Sequence, residues 1–291
     1  MKPALFDYVC PTTLDDALET LRQRGDDAKC LAGGQSLVPL LNLRLSKPHT
    51  LIDLNRITEL AYIRAHNGGL ALGALARQRA IETSALVRDR ASLLHEVTPL
   101  IGHPPIRSRG TLGGSLAHAD PAAEYPAVVL ALDGHMTLKS AGGERVVPAR
   151  EFFVSYLTTA CKPTEVLTRI TLPSLPPRTG TAFMELTQRH GDFAVVGVAA
   201  AVTLDDAGAV SRARIVLCGV GPTPLRAAQA ETALEGQAPT GARLVEAGRL
   251  AIDATDPADD LHGSAEYRRE MTAVLTRRTL ARALERLGVR L

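Results

Sequence analysis

The sequence predicts an α+β protein of two domains, and three observations lead to this fold class. The chain has 291 residues, 45% of them hydrophobic, which is enough for one large or two moderate cores. Short strand-like runs alternate with helix-like runs in the first part, whereas strands precede helices in the second. The segment from Pro173 to Pro177 is the clearest break in the chain. We therefore predict a larger domain over 1–176 and a smaller one over 177–291.

The first domain opens with a predicted helix that is capped by Thr12-Thr13, followed by Asp15-Asp16, and that ends at Arg24-Gly25. Further elements of this domain follow in order: a strand over 28–31, a helix over 37–43, a strand over 50–54, short strands between 60 and 75, two or three helical segments over 76–97, a helix over 122–132, a hairpin over 136–147 and a strand over 165–172.

The second domain begins with three strand-like runs, over 181–186, 193–204 and 210–220. Helices are then predicted from Thr223-Pro224, over 242–254 and over 265–287. This order indicates a sheet packed against a helical layer.

The stretch from Ile101 to Glu124 has no amphipathic period long enough for a buried helix, so we interpret it as a ligand-binding loop. Within it, Gly113-Gly114-Ser115 permits backbone angles closed to other residues, which would let successive N–H groups converge on an anion. A second pair, Gly33-Gly34, precedes the helix over 37–43, whose start favours phosphate. Two such loops suit a ligand with two linked phosphates.

The simpler alternative is that both glycine pairs are ordinary turns. Two other pairs, Gly68-Gly69 and Gly142-Gly143, lie between strand-like runs and are predicted to be hairpin loops. The residues around the first two pairs favour ligand binding instead.

Those residues carry a resemblance to a known family. The runs are Ala32-Gly33-Gly34-Gln35-Ser36-Leu37 and Arg109-Gly110-Thr111-Leu112-Gly113-Gly114-Ser115-Leu116-Ala117-His118-Ala119-Asp120-Pro121-Ala122-Ala123-Glu124. They resemble the two FAD-binding signatures of the medium, flavin-carrying subunit of molybdenum hydroxylases, a family that includes carbon monoxide dehydrogenase medium subunits and the FAD portion of xanthine dehydrogenase. Similarity extends over nearly the whole chain. Ser108 stands where such subunits often carry Asn, and Glu185 lies near an expected Lys.

The resemblance implies a PCMH-type FAD-binding domain of two subdomains, followed by a carbon monoxide dehydrogenase flavoprotein-like C-terminal domain. It implies that residues 32–36 and 111–115 cradle the pyrophosphate, that Glu124 faces ribityl or ribose hydroxyls, and that Phe193 covers one face of the flavin ring. The implied cofactor-binding residues are Ala32, Gly33, Gly34, Gln35, Ser36, Leu37, Ile101, Gly110, Thr111, Gly113, Gly114, Ser115, His118, Asp120, Glu124, Val166, Leu167 and Phe193.

Composition argues against several other classes. With 33 basic and 31 acidic residues, no Trp and 3% aromatics, the chain lacks both the charge and the stacking surface of a nucleic-acid binder. The cysteines at 10, 30, 161 and 218 have no metal or disulfide spacing and are predicted to be reduced, mostly buried thiols. No run is long and apolar enough for a membrane span, so we expect a soluble, cytoplasmic protein.

Other site chemistries fit poorly. His118 and Asp120, even with His103 and Glu124, match no common zinc spacing. The run around Ser115 lacks the second glycine of a hydrolase nucleophile elbow, and neither a P-loop nor a Rossmann fingerprint occurs. We assign no catalytic residue and no metal ligand to the chain.

Arg107 and Arg109 leave three alternatives open. They could contact phosphate, contact a neighbouring subunit, or be solvated on a loop.

The resemblance implies an FAD-carrying electron-transfer subunit of a heteromeric molybdenum hydroxylase. The FAD is expected to be non-covalent, because Gln35 stands where some relatives have a histidine able to bond the flavin. Implied partners are a small subunit with [2Fe-2S] clusters and a large subunit with the molybdenum cofactor, in a dimer of heterotrimers, with NAD, oxygen or a quinone as acceptor. Alternatives are a self-sufficient FAD-dependent oxidoreductase with its own substrate, or a non-enzymatic nucleotide-binding scaffold.

Overall fold

The computed structural model describes residues 2–291, and its amino-terminal part is built on a three-stranded parallel sheet. Helix α1 joins the first two strands; the Thr13 hydroxyl accepts a hydrogen bond from the Asp16 N–H at its start, and Gly25 ends it at a φ of +52°. The predicted first helix is therefore confirmed. The elements, with the strands ordered β1-β3-β2, are β1 (Asp7–Val9), α1 (Leu14–Arg24), β2 (Ala28–Leu31), α2 (Leu37–Asn42) and β3 (Thr50–Asp53).

A five-stranded antiparallel sheet and seven helices form the rest of the first domain. Gly68-Gly69 and Gly142-Gly143 lie in hairpins of this sheet, as predicted. In chain order the elements are β4 (Ile63–His66), β5 (Gly69–Gly73), α3 (Gln78–Thr83), α4 (Ala85–Arg90), α5 (Ser92–Val97), α6 (Pro104–Arg109), α7 (Leu112–His118), α8 (Glu124–Ala131), β6 (His135–Ser140), β7 (Gly143–Pro148), α9 (Ala149–Phe152), β8 (Phe153–Ser155), β9 (Thr158–Thr159) and β10 (Val166–Leu172). The sheet order is β4-β5-β10-β6-β7, and β8-β9 is a separate hairpin.

The stretch over 101–124 is not the loop that we predicted, because it contains α6 and α7. These helices have six and seven residues, fewer than two turns, so no amphipathic repeat can show in the sequence. Pro104 begins α6, and the Thr111 hydroxyl caps α7 by accepting from the Gly114 N–H. The start of α6 is thus set by a proline and the start of α7 by a local hydrogen bond.

The second domain packs a four-stranded antiparallel sheet against three helices, which confirms the predicted α+β class. Its elements are β11 (Thr179–Leu186), β12 (Val196–Leu204), β13 (Val210–Cys218), β14 (Leu225–Arg226), α10 (Ala228–Leu234), α11 (Gly241–Ile252) and α12 (Ala265–Glu285). Two predicted boundaries were wrong. The helix expected from Thr223-Pro224 begins at Ala228, because Leu225 and Arg226 pair with β13. The strand expected from Phe193 begins at Val196.

The largest hydrophobic core belongs to both domains. Phe183, Val216 and Cys218 of the second sheet are buried in one cluster with Tyr125 and Val128 of α8. Polar contacts reinforce this junction: Arg286 binds Glu96 at 2.6 Å, Arg214 reaches Asp133 at 3.4 Å, and the Gly219 N–H donates to the Pro121 carbonyl at 2.8 Å. We call this cluster the shared core.

Two further features bear on the compositional predictions. Over residues 2–291, no helix has both the length and the hydrophobicity required to cross a bilayer. All four cysteines are free; Cys218 is buried, and the other three are partly buried.

Candidate cofactor-binding cleft

The two glycine motifs, residues 32–37 and 109–115, line one cleft; we call them the first and second glycine segments. The cleft has a volume of about 550 Å³, which is within the size range of small-molecule sites. Its walls are the loop after β2, helix α7, the start of β10 and the loop before β12. All the residues that the resemblance implied line it: Ala32, Gly33, Gly34, Gln35, Ser36, Leu37, Ile101, Gly110, Thr111, Gly113, Gly114, Ser115, His118, Asp120, Glu124, Val166, Leu167 and Phe193. Their individual contacts with FAD remain predictions.

The two glycine segments touch at Gly33. A Cβ atom on Gly33 would lie 2.4 Å from the Arg109 carbonyl oxygen and 2.7 Å from the Gly110 Cα, closer than real side chains approach. Segments from two different subdomains therefore meet backbone to backbone, and glycine at 33 is what permits it.

The first glycine segment offers a run of free donors. The backbone N–H groups of Gly33, Gly34, Gln35 and Ser36 have no acceptor among residues 2–291. Gly34 has a φ of +74°, and the Gln35 amide donates to the Gly33 carbonyl at 3.0 Å, which holds the loop in this shape. Consecutive free N–H groups at a positive-φ glycine form an anion-binding concavity.

The second glycine segment contributes differently from our expectation. Gly113 and Gly114 lie inside α7 without positive φ, and their N–H groups are already used: Gly113 donates to the Ala74 carbonyl at 2.9 Å and Gly114 to the Thr111 hydroxyl at 3.0 Å. The Ser115 N–H donates to the Thr111 carbonyl at 3.2 Å. The predicted convergence of these N–H groups on an anion is wrong. The segment supplies hydroxyl groups instead.

Glycine at 113 has a packing reason. A Cβ atom there would lie 2.4 Å from the Ala74 Cβ and 2.7 Å from its carbonyl oxygen. Helix α7 therefore lies directly against the backbone that leaves β5, and this close approach places Thr111 and Ser115 on the cleft wall.

Two carboxyl groups with raised pKa values lie near each other, and one of them, Glu124, lines the cleft. Glu124, the first residue of α8, is only 3% exposed; burial, with the nearby charge of Glu185, raises its pKa to about 8. Burial also raises the pKa of Glu185 on β11 to about 7, and its Oε2 has no hydrogen-bond partner among residues 2–291. Glu124 is thus largely protonated at neutral pH and can donate a hydrogen bond.

His118 stands on the same wall at the end of α7. Burial lowers the pKa of its imidazole, and the charge of Asp120 opposes this shift. The ring is therefore neutral at physiological pH, where one nitrogen donates and the other accepts.

Arg107 fits none of the three alternatives left open by its sequence. Its side chain is 6% exposed, pairs with Glu82 at 3.1 Å and donates to the carbonyl oxygens of Ile101 and Gly102 at 3.2 and 3.0 Å. Arg107 therefore does not line the cleft itself but stabilises the backbone at Ile101 and Gly102, which does. Arg109, by contrast, is exposed.

Phe193 is not a core residue. Its side chain is 56% exposed on the loop between Gly191 and β12, and it lines the cleft. This placement leaves one side of the cleft open to solvent.

Several cleft residues had no signal in the sequence. Gln78 is 4% exposed, and its Oε1 has no partner among residues 2–291 although it lines the cleft beside Gly110. Leu157 comes from the unpredicted β8-β9 hairpin, with a φ of +50°. Both lie far along the chain from the glycine motifs, so only the folded topology places them there.

The residues present fit an FAD molecule. The dinucleotide requires a cavity of this order of size, an anion site for two phosphates, and polar partners for its hydroxyl and ring atoms. The free N–H groups over 33–36 provide the anion site. The polar partners for hydroxyl and ring atoms come from Thr111, Ser115, Glu124 and the unpartnered Gln78 Oε1.

Comparison with known families agrees with this fit. The model described as "FAD binding domain in molybdopterin dehydrogenase" matches residues 4–175. The chain belongs to this family. A second model, "CO dehydrogenase flavoprotein C-terminal domain", matches residues 181–283. The chain is therefore an FAD-binding medium subunit of a molybdenum-containing dehydrogenase, which confirms the resemblance.

Individual relatives cover almost the entire chain. The 6-hydroxypseudooxynicotine dehydrogenase complex subunit alpha of Paenarthrobacter nicotinovorans is 46% identical over 98% of this chain and 97% of its own length. The carbon monoxide dehydrogenase medium chain of Hydrogenophaga pseudoflava is 38% identical over 98% of this chain and 99% of its own.

Solved structures show the same fold. Carbon monoxide dehydrogenase from Hydrogenophaga pseudoflava, in a form lacking the Mo-pyranopterin moiety, superposes with a TM-score of 0.96 at 40% identity, over 98% of this chain and 99% of that chain. Quinoline 2-oxidoreductase from Pseudomonas putida 86 gives a TM-score of 0.93 at 34% identity, over 99% and 100%.

Proposed function

We propose that this subunit relays electrons within its complex. Electrons would arrive from [2Fe-2S] clusters of a small subunit and leave for an external acceptor: NAD, oxygen or a quinone. The observation that carries the proposal is the cleft, which unites the free N–H groups over 33–36 with the polar wall of α7 and α8 and opens to solvent beside Phe193.

Each wall has a separate task in this proposal. The N–H groups over 33–36 bind the pyrophosphate, and Glu124 bonds the ribityl or ribose hydroxyls. Val166 or Leu167 gives a backbone contact near the isoalloxazine, and Phe193 covers one ring face. Bound FAD supplies the redox chemistry, while these residues set its position. We also propose that the FAD is non-covalent, since the amide of Gln35 cannot form the bond to flavin that a histidine can.

The partners follow from what the relatives are called. Their names include a dehydrogenase complex subunit and medium chains of carbon monoxide dehydrogenase, which are parts of larger assemblies. We propose a small iron–sulfur subunit, a large molybdenum subunit and a dimer of heterotrimers. Within this chain we place the domain boundary between residues 176 and 177.

The test measures flavin reduction with and without partners. The full chain is loaded with FAD, and acid precipitation shows whether flavin stays in solution, as non-covalent binding requires. Dithionite should bleach the flavin of the chain alone, whereas the organic substrate should bleach it only after the partner subunits are added. Bleaching by substrate without partners would favour the self-sufficient oxidoreductase. A chain that binds no flavin would favour the scaffold.

A further inference from the structure

The two glycine segments come from different subdomains, so their separation has to be fixed by something other than the chain between them. Asn55, just after β3, contacts the first segment: its Nδ2 donates to the Ala32 carbonyl at 2.8 Å. The Asp53 carboxylate holds this amide in place by accepting from the Asn55 backbone N–H at 2.9 Å and from Nδ2 at 2.5 Å.

Arg77, between β5 and α3, completes the connection. Its Nη2 donates to the Asn55 Oδ1 at 2.7 Å, and its Nη1 donates to the Arg109 carbonyl of the second segment. The adjacent backbone is fastened to the same segment, because the Gln78 N–H donates to the Gly110 carbonyl at 2.9 Å. An unbroken series of hydrogen bonds thus runs from Ala32 through Asn55 and Arg77 to Arg109.

Neither Asn55 nor Arg77 lines the cleft. The side-chain hydrogen bonds of Arg77 go to two uncharged oxygens, the Arg109 carbonyl and the Asn55 amide, and it forms no salt bridge within residues 2–291. Burial and the neighbouring Arg109 lower the pKa of Arg77, and the charge of Asp53 opposes this shift. Its planar guanidinium can contact two acceptors in a fixed geometry, which a lysine cannot do. The guanidinium of Arg77 therefore holds two acceptors, Asn55 beside the first glycine segment and Arg109 in the second, in a fixed arrangement.

We propose that Arg77 and Asn55 are positioning residues of the cofactor site: the Asn55–Arg77 link sets the spacing of the two glycine segments and thereby the affinity for FAD. The link acts through the carbonyl groups of Ala32 and Arg109, which fix the loop carrying the free N–H groups against α7. This inference rests on the proposed function in one respect, that FAD is the ligand.

The test compares Arg77→Ala, Arg77→Lys and Asn55→Ala with Arg88→Ala, a matched arginine truncation at an exposed site on α4. In the full chain, loss of the link should raise the Kd for FAD by about tenfold or more in Arg77→Ala and Asn55→Ala, as expected for one or two hydrogen bonds. Arg77→Lys should fall between these variants and the wild type. Arg88→Ala should bind FAD as the wild type does.

A double variant tests whether the two residues act as one unit. Arg77→Ala combined with Asn55→Ala should bind FAD no more weakly than the worse single variant, because either change already breaks the link. Kd increases that multiply would mean that the residues act separately and would overturn the proposal.

Amide hydrogen exchange on the cofactor-free chain gives a readout that does not depend on FAD. In Arg77→Ala, exchange should quicken over 110–115, whose N–H groups at 110, 112, 113, 114 and 115 are hydrogen-bonded in the wild type, and stay unchanged in α11 and α12. If the wild type binds no FAD, the proposed function fails while this measurement still decides on the link. Unchanged exchange and unchanged Kd in Arg77→Ala would overturn the link. Should Arg77→Ala not fold, Arg77→Lys is judged by the same two measurements.

Discussion

At the scale of single residues, Glu124 makes a clear prediction about pH. Its pKa is about 8 in the folded chain, against about 4.3 in an unfolded one, so the folded state retains a proton that the unfolded state has released. The contribution of Glu124 to the free energy of unfolding is therefore fully present below about pH 4.3, and it is lost as the pH rises to about 8.

Urea unfolding of the cofactor-free chain at pH 5 to 9 checks this. Glu124→Gln, which cannot ionise, should lack this part of the pH dependence, so that its stability relative to wild type improves steadily up to about pH 8 and then stays constant. Glu270→Gln, at an exposed site on α12, should follow the wild type. A constant difference between Glu124→Gln and wild type would contradict the raised pKa.

Gly33 gives the second residue-scale prediction. In Gly33→Ala the new methyl group would lie 2.4 Å from the Arg109 carbonyl, so the two glycine segments must separate. We expect the flavin content of the purified chain to fall several-fold, read from the ratio of visible to ultraviolet absorbance. Gly142→Ala is the control, since its methyl group would meet nothing closer than 3.7 Å. Equal flavin in both variants would show that the contact is unimportant.

From the sequence alone, cleft residues could be identified only where they belong to, or are implied by, a recognisable motif. Both glycine motifs were visible, and the residues they implied all line one cleft. Arg107 was not interpretable, because its partner Glu82 lies 25 positions away and no local pattern joins them. Gln78 and Leu157 were missed for the same reason: their proximity arises from topology.

At the scale of elements, Thr111 tests whether the cap of α7 also shapes the cleft. Thr111→Ala removes the hydroxyl that accepts the Gly114 N–H, which should cost about 1 kcal/mol of unfolding free energy. It should also weaken FAD binding, because the first turn of α7 forms the cleft wall. Thr240→Ala removes the equivalent cap of α11, far from the cleft. Urea unfolding should show similar losses in both, and a flavin titration should show weaker binding in Thr111→Ala alone.

Long elements were predictable, and so were short ones beside clear turn signals, such as the strands over 28–31 and 50–53 and the helix over 37–42. The helices over 265–287 and 242–254 and the strands β11, β12 and β13 carry several repeats of their hydrophobic period, so their positions were close to those observed. Helices α6 and α7 and strand β14 have too few residues to show a period. Their hydrogen bonds, such as the pairing of Leu225 with Leu217, decide their form.

At the scale of the whole molecule, the shared core predicts that the two domains unfold together. Removing residues 177–291 would uncover the side of the buried helix α8 that packs against β12 and β13. We expect the fragment 1–176 to aggregate or to lack a cooperative thermal transition. The full chain should melt in a single transition when followed by circular dichroism. A soluble, cooperatively folded 1–176 fragment would contradict this expectation.

The proline-rich segment indicated two domains but could not reveal that they share a core. A linear sequence shows where the chain changes character, and Pro173 to Pro177 does so clearly. It does not show that β13 of the later domain packs on α8 of the earlier one. That contact depends on side chains about 90 positions apart.

The shared core also bears on how such subunits can be recombined. Glu124 stands at the start of α8, and the charge of Glu185 in the later domain contributes to its raised pKa. The later domain also supplies Gly191, Asp192 and Phe193 to the lining of the cleft. A chimera joined at residue 176 would therefore exchange these lining residues along with the later domain. Two parental halves that each fold well could still give a hybrid with an altered flavin environment. To keep the flavin environment of one parent, a recombinant therefore has to take both domains from that parent.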